Sequence, residues 1–154
     1  MIYKITLTIS GDDFLSSAVK LPSNNLRVEN SWEASTPIEP ISAGKTSRTY
    51  GYGGMMFMHN RCWGTTETNK EQYESDFVDF LQKNERTFLQ CGAQEAELLY
   101  EVLMEEAEES DATILSSPLL KRLGGLSILV FLPVSIYHVN KPLFNQYLDE
   151  IKEA

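Results

Sequence analysis

Apolar and polar residues alternate from Ile2 to Ile9, which predicts a half-buried β-strand at the start of the chain. Three later stretches, 26–32, 48–63 and 126–139, are also rich in β-forming residues. Glycines in the second of them predict a bend or bulge, and Pro133 in the third predicts a sheet edge or a break in the strand. The hydrophobic pattern therefore predicts a sheet of several short strands.

A long amphipathic helix is predicted in the middle of the chain, starting at Thr66 or Thr68 and ending at Gln90, before Cys91-Gly92. Its apolar positions recur at helical spacing: Tyr73, Phe77, Phe80, Leu81 and Phe88. Caps, prolines and glycines at their ends predict shorter helices at 14–21, 118–123 and 142–152.

Residues 94–106 fit two kinds of secondary structure. Propensity favours a helix, but Leu98, Tyr100 and Val102 also alternate with glutamates as they would in a strand. The residues alone leave this choice open.

The order of these elements predicts an α+β fold. Strands come first, helices lie in the middle, and a strand and a helix come last, an order typical of an antiparallel sheet with helices packed mainly on one face. With 154 residues, 42% of them apolar, the chain is predicted to form a single domain over 1–154, in which 140–154 is a C-terminal helical addition.

The net charge of −9 is concentrated in one part of the chain. Residues 67–111 carry −11, whereas 1–66 and 112–154 carry +1 each. A solvated face that keeps the protein in solution is one interpretation, and a docking surface for a cationic partner is the other. The predicted partner-binding residues are Glu101, Glu105, Glu106, Glu108, Glu109 and Asp111. Because the basic residues are scattered, nucleic acid and anionic membrane are not predicted as partners.

Two cysteines are too few for a disulfide framework, and a reducing compartment is the simpler interpretation. No apolar run reaches the roughly 18 residues that a membrane helix needs, and the first ten residues do not resemble a secretory signal. We therefore expect a cytoplasmic protein.

Most candidate motifs for ligand or metal binding lack the residue spacing that such sites require. Residues 42–46 resemble the end of a phosphate-binding loop, but Glu39 stands where its first glycine is required. His59, Cys62, Cys91 and His138 lack the close spacing of zinc motifs, so no metal and no cofactor is expected. The alternative candidate is a ligand site or enzyme active site around four residues: Tyr50, Tyr52, His59 and Trp63.

The segment 116–123, with its β-rich return to 134–137, resembles the C-terminal half of the bacterial domain-of-unknown-function family 4279. The opening stretch 5–14 is similar to the start of that family, and 61–64 stands where the family has a tryptophan-bearing strand. The resemblance covers most of residues 1–139. It implies an α+β domain with a strand over 95–104, and it carries over no catalytic residue.

Some small bacterial families of this kind resemble immunity proteins encoded beside toxins. The leading hypothesis is therefore a non-enzymatic acidic protein-binding domain, with a bacterial immunity protein that neutralises a basic toxin as its specific form. The alternatives are a small-ligand binder or enzyme, and a structural or oligomeric domain. The sequence leaves the partner's identity and the oligomeric state open.

Overall fold

The computed structural model describes residues 1–21, 25–38, 48–65, 70–107 and 115–153. Their seven strands form one sheet: β1 (Ile2–Gly11), β2 (Leu26–Trp32), β3 (Gly53–His59), β4 (Gly64–Thr65), β5 (Glu95–Glu105), β6 (Leu129–Phe131) and β7 (Val134–Val139). The order across the sheet is β2-β3-β1-β5-β6, with β4 beside β1 and β7 beside β5. The strands β3, β4 and β5 run antiparallel to β1, whereas β6 and β7 run parallel to β5.

Three helices pack against this sheet: α1 (Lys70–Gln90), α2 (Ser117–Gly124) and α3 (Lys141–Glu153). The first two cover one face and share the main core with β1, β3 and β5. The third packs on the end of the opposite face, where Phe144 contacts a cluster with Ile2 and Leu103. The predicted α+β fold, with helices mainly on one face, is confirmed. No helix among the described residues is both long and apolar enough to span a membrane.

The ambiguous segment 94–106 forms the strand β5. It pairs with β1 over nine residues, and Ala96, Leu98 and Tyr100 are almost completely buried beneath the helices. A helix could not bury these alternate positions together, so packing against β1 outweighs the helical propensity of the glutamates.

The helix predicted at 14–21 is wrong, since only a 3₁₀ turn at Ser16–Ala18 forms there. Phe14 is buried in the core, and the Leu15 N–H donates to the carbonyl of Cys91. Glu33 accepts hydrogen bonds from the Ser16 hydroxyl and the Ser17 N–H. These contacts hold the segment against the rest of the fold in a conformation that a continuous helix would break.

Gly53 and Gly92 let the backbone at Asp13–Phe14 approach β3 and the end of α1 very closely. A Cβ at Gly53 would overlap the carbonyl oxygen of Phe14, and one at Gly92 would lie 2.6 Å from that of Asp13. Gly92 also has φ of +92°, which side chains other than glycine rarely adopt. Glycine at these two positions is what allows Phe14 to enter the core.

A tyrosine hydroxyl fills a gap in the sheet between β3 and β4. Their pairings with β1 stop at Thr6 and Tyr3, so none of the described strands lies beside Ile5 on that side. The Tyr73 hydroxyl accepts a hydrogen bond from the Ile5 N–H at 3.1 Å and donates to the Cys62 carbonyl at 3.3 Å. Burial raises the pKa of Tyr73 above its usual range, so the hydroxyl keeps the proton that it donates.

Glu74 on α1 is a buried carboxylate, with 3% of its surface exposed. Its Oε1 lies 3.5 Å from the Lys70 ammonium and 3.4 Å from the Leu115 N–H. Desolvation raises the pKa of Glu74 above the ordinary value of 4.5, although Lys70 and the hydrogen bond from Leu115 act in the opposite direction. Between the ordinary and the raised pKa the folded protein therefore binds more protons than the unfolded chain.

We expect Glu74→Gln to become relatively more stable than the wild type as the pH rises. The ionisation of Glu74 lowers the free energy of unfolding from about pH 4.5 upward, until the pH passes the raised pKa, and a glutamine has no such penalty. Urea denaturation of both proteins at pH 4 and pH 7 measures the difference, and Asp12→Asn, an exposed position in the turn after β1, controls for net charge. A stability difference that does not change with pH would contradict this account.

Candidate functional site

The sheet face opposite α1 and α2 is named the open face, because no described helix covers it except α3 at one end. Strand register places on it Lys4, Thr6 and Thr8 of β1, Met56 and Met58 of β3, Glu95, Glu97, Leu99 and Glu101 of β5, and Leu129 and Phe131 of β6. Acidic, apolar and small polar side chains therefore alternate across one rigid surface.

The glutamates of β5 differ in how far their charge is neutralised. Glu101 forms an ion pair with Lys4 at 3.3 Å, and Glu95 accepts a hydrogen bond from the Ser10 hydroxyl at 3.2 Å. Glu97 is exposed and forms no ion pair with any described residue. Since Glu95 and Glu97 are two residues apart on a strand, their side chains project from the same face roughly 7 Å apart. Negative charge therefore remains at this end of the open face.

Two apolar side chains lie directly beside these carboxylates. Leu129 stands opposite Glu95 in the β5–β6 register, and Phe131 stands opposite Glu97. They are 58% and 45% exposed, respectively, although both are large apolar residues. An exposed apolar patch with a polar rim is typical of a protein–protein interaction site.

The predicted partner-binding residues are only partly described. Glu101 and Glu105 lie on the open face, and Glu106 follows directly after β5 with its N–H bonded to the Val139 carbonyl at 3.0 Å. The remaining three residues of that prediction, Glu108, Glu109 and Asp111, lie outside the described residues.

Sequence reasoning did not place four members of the open face in the binding site: Glu95, Glu97, Leu129 and Phe131. The alternation of glutamates with apolar residues over 95–101 was the available signal, and it identifies a shared face only if the segment is a strand. Pairing between β5 and β6 is a long-range contact that no local pattern specifies.

The alternative site is not assembled, because its four residues lie in three different places. Tyr50 and Tyr52 pack against Trp32 at one end of β3, with ring centroids between 5.3 and 6.2 Å apart. At these distances the rings contact one another, so they form a packed aromatic cluster.

His59 lies at the other end of β3, in the core beneath α1, with 5% of its surface exposed. Its Nδ1 accepts a hydrogen bond from the Arg61 N–H at 2.9 Å, which assigns the proton to Nε2, and Nε2 donates to Asp76 Oδ2 at 2.9 Å. The ring also packs against Tyr73, with centroids 4.9 Å apart. Both nitrogens are occupied, so His59 offers neither a general base nor a metal ligand in this arrangement.

Trp63 lies on the opposite side of the sheet from His59. Its ring packs against Tyr147 of α3 at 6.1 Å, and the Lys4 ammonium lies 5.7 Å from its centroid. Cys62, between the two, is exposed, and its sulfur accepts a hydrogen bond from the Arg27 guanidinium at 3.4 Å. This geometry pairs Cys62 with an arginine and His59 with an aspartate, not with each other.

A cleft near the His59–Asp76 pair opens along α1 and is lined by Asn25, Asp76, Phe80 and Lys83, among others. Its volume of about 200 Å³ is below the range of roughly 300 to 1,000 Å³ typical of small-molecule sites. Among the described residues, no group of three or more His, Cys, Asp or Glu side chains could hold a metal ion. The segment 42–46, considered as a phosphate loop, lies outside the described residues.

Comparison with known proteins adds no relative: no family model, no curated protein and no solved structure matches this chain. The resemblance to family 4279 therefore stays a prediction, and the candidate site rests on its own geometry.

Proposed function

We propose that this chain is a non-enzymatic protein-binding domain whose open face binds a basic protein. The specific form that we favour is a bacterial immunity protein, which neutralises a basic toxin by binding it. One observation carries the proposal: the exposed carboxylates of Glu95 and Glu97 alternate with the exposed apolar side chains of Leu129 and Phe131 on adjacent strands.

The two kinds of side chain support different parts of such binding. Carboxylates attract a basic partner over several ångströms and raise the rate of association, while apolar side chains bury area once the surfaces meet. Both are mounted on the paired strands β5 and β6, so little backbone order has to be gained on binding. The residual charge at Glu97 favours a cationic partner, because an acidic one would be repelled.

An enzyme is less well supported by the described residues. Catalysis by the proposed alternative would require a free base or nucleophile in a pocket, but His59 has both nitrogens bonded and the rings of Tyr50 and Tyr52 pack on Trp32. The open face, by contrast, is shallow and presents both charged and apolar side chains, as protein-binding surfaces do.

Calorimetric titration with a basic protein that co-purifies with this chain, or that a neighbouring gene is found to encode, tests the proposal. We expect the double variant Glu95→Gln/Glu97→Gln to weaken binding about tenfold at 0.05 M NaCl, and to reduce the dependence of affinity on salt. Charge pairs at an interface are screened as salt rises, so the wild type and the variant should converge at high ionic strength.

The matched control is Glu71→Gln/Asp79→Asn, which removes the same charge from exposed positions on α1, the helix that packs on the other face of the sheet. It should bind as the wild type does, because the net charge of the protein is not what the partner contacts. Equal weakening by both double variants, or no weakening by either, would overturn the assignment of the open face. A further variant that neutralises Glu106, Glu108 and Glu109 tests whether the rest of the predicted acidic segment takes part.

A further inference from the structure

The two edges of the sheet differ in their protection against pairing with another strand. At one edge, β2 carries Arg27 and Glu29, and its register shifts at a bulge between Val28 and Asn30. Charges and bulges of this kind discourage a further strand from pairing. At the other edge, the stretch from Leu129 to Asn140 contains no Lys, Arg, Asp or Glu. Its only interruption is the break at Leu132-Pro133 between β6 and β7.

The backbone of β7 directs hydrogen-bonding groups away from the sheet. The carbonyls of Pro133 and Val139 accept hydrogen bonds from the N–H groups of Tyr100 and Glu106 in and next to β5. In a strand, alternate residues direct their backbone groups to opposite sides, so Val134, Ile136 and His138 face outward. None of the described strands pairs with that side of β7.

The side chains of this edge are apolar and exposed on both faces of the sheet. Val134 and Ile136 are 42% and 51% exposed on one face, and Tyr137 is 49% exposed on the other. The following helix, α3, turns back over the sheet towards Ile2 and Trp63, so it does not cover the edge. Outward backbone groups and exposed apolar side chains thus coincide along the same six residues.

We infer that β7 pairs with the β7 strand of a second copy of this chain, antiparallel and about a two-fold axis at Ile136. In this register Ile136 stands opposite its own copy, Val134 opposite His138, and Ser135 opposite Tyr137. The strand is self-complementary, because the small Ser135 leaves room for the large Tyr137 at both equivalent positions. A two-fold interface requires this match of a surface with itself.

Charge does not prevent the pairing, although each copy carries −9 overall. The uncharged strand brings no like charges together at the axis. The nearest acidic residue opposite β7 is Glu101, paired in register with Ser135. With strands about 4.8 Å apart, the two Glu101 residues of a dimer would lie roughly 14 Å apart, beyond the screening length of about 8 Å at physiological salt.

The surface area that the β7 edge can bury determines the expected affinity of the dimer. Four exposed side chains of β7, Val134, Ile136, Tyr137 and His138, leave roughly 100 Å² each, so two copies would bury roughly 800 Å². This is at the small end of interface sizes, where complexes are weak and transient. The dimer is therefore reversible, with a dissociation constant in the micromolar range.

Sedimentation velocity between about 1 and 300 µM protein tests the inference. We expect the wild type to shift from monomer to dimer over this range, and Ile136→Lys to dimerise at least tenfold more weakly because it places two lysines face to face. The matched control is Val28→Lys at the β2 edge, where the exposure of 49% is nearly the same as that of Ile136. It should dimerise as the wild type does.

Disulfide cross-linking tests the register in which the two β7 strands pair. Hydrogen-bonded antiparallel pairs have Cα atoms about 5.5 Å apart, within the range that a disulfide spans. In a Cys62→Ser background, Ile136→Cys should form a disulfide-linked dimer on mild oxidation, whereas Val28→Cys should not. A wild type that stays monomeric at 300 µM, or equal effects at Ile136 and Val28, would overturn the inference.

The dependence of association on salt concentration distinguishes this dimer from the binding of a basic protein to the open face. Dimerisation joins two like-charged copies through an uncharged strand, so added salt should leave it unchanged or strengthen it. Association that weakens with salt and involves a different, basic chain at β7 would contradict the assignment of a second copy.

Discussion

Replacing Gly53 by alanine is expected to lower the free energy of unfolding by about 3 kcal/mol. The new methyl group would overlap the carbonyl oxygen of Phe14. That oxygen cannot move aside easily, because the Phe14 side chain is fixed in the core and the backbone N–H of Phe14 donates to the Gly11 carbonyl at 3.2 Å. Urea denaturation followed by fluorescence measures the loss.

Gly124→Ala is the matched control for this prediction. Gly124 ends α2, and a Cβ added there would meet nothing within 4 Å. Since alanine favours a helix over glycine by up to about 1 kcal/mol, this variant should be as stable as the wild type or slightly more so. A comparable loss at both glycines would mean that close packing at Phe14 is not the cause.

Tyr73→Phe is expected to cost about 2 kcal/mol of stability, the second largest effect. Phenylalanine keeps the ring in the core but removes the hydroxyl that bridges the gap beside β1. The Ile5 N–H and the Cys62 carbonyl would both lose their hydrogen bonds to it. A donor buried without a partner costs more than the average hydrogen bond contributes, because it has also lost its contact with water.

Chemical denaturation gives the size of this effect, and hydrogen exchange at the Ile5 amide locates it. Exchange there should accelerate more than at Leu7, whose position is paired with Phe57 in β3. Tyr52→Phe, at a residue that is 40% exposed, is the control and should change stability by less than about 0.5 kcal/mol. An unchanged stability for Tyr73→Phe would show that water replaces the hydroxyl in the gap.

Local sequence patterns correctly predicted the strands and helices whose buried residues recur at one regular spacing. The alternation in β1, the helical spacing in α1 and the proline and glycine at the ends of α2 all gave the correct element. They were insufficient where a distant segment decides the outcome. The propensities of the β5 residues favour a helix whereas their alternation fits a strand, and the strand forms because it pairs with β1. The segment at Phe14 is held by contacts with Cys91 and Glu33, which no nearby residue signals.

In the candidate site, too, local patterns predicted some features and long-range contacts decided the others. The density of acidic residues was visible in the sequence, but the carboxylates that share a face depend on β5 being a strand, and their apolar neighbours depend on its pairing with β6. The alternative residues are close in sequence and were expected to converge. Instead, His59 enters the core beneath α1, and Trp63 packs under α3 on the other side of the sheet.

The position of β1 has a consequence for the order of events during synthesis. This strand is made well before the three strands that pair with it, β3, β4 and β5: Leu7, for example, pairs with Phe57 on one side and with Leu98 on the other. At translation rates of about 5 to 20 residues per second, the nascent strand waits several seconds for the second neighbour. Throughout that interval β1 lacks one of the strands that flank it, so the centre of the sheet can be completed only after β5 has been synthesised.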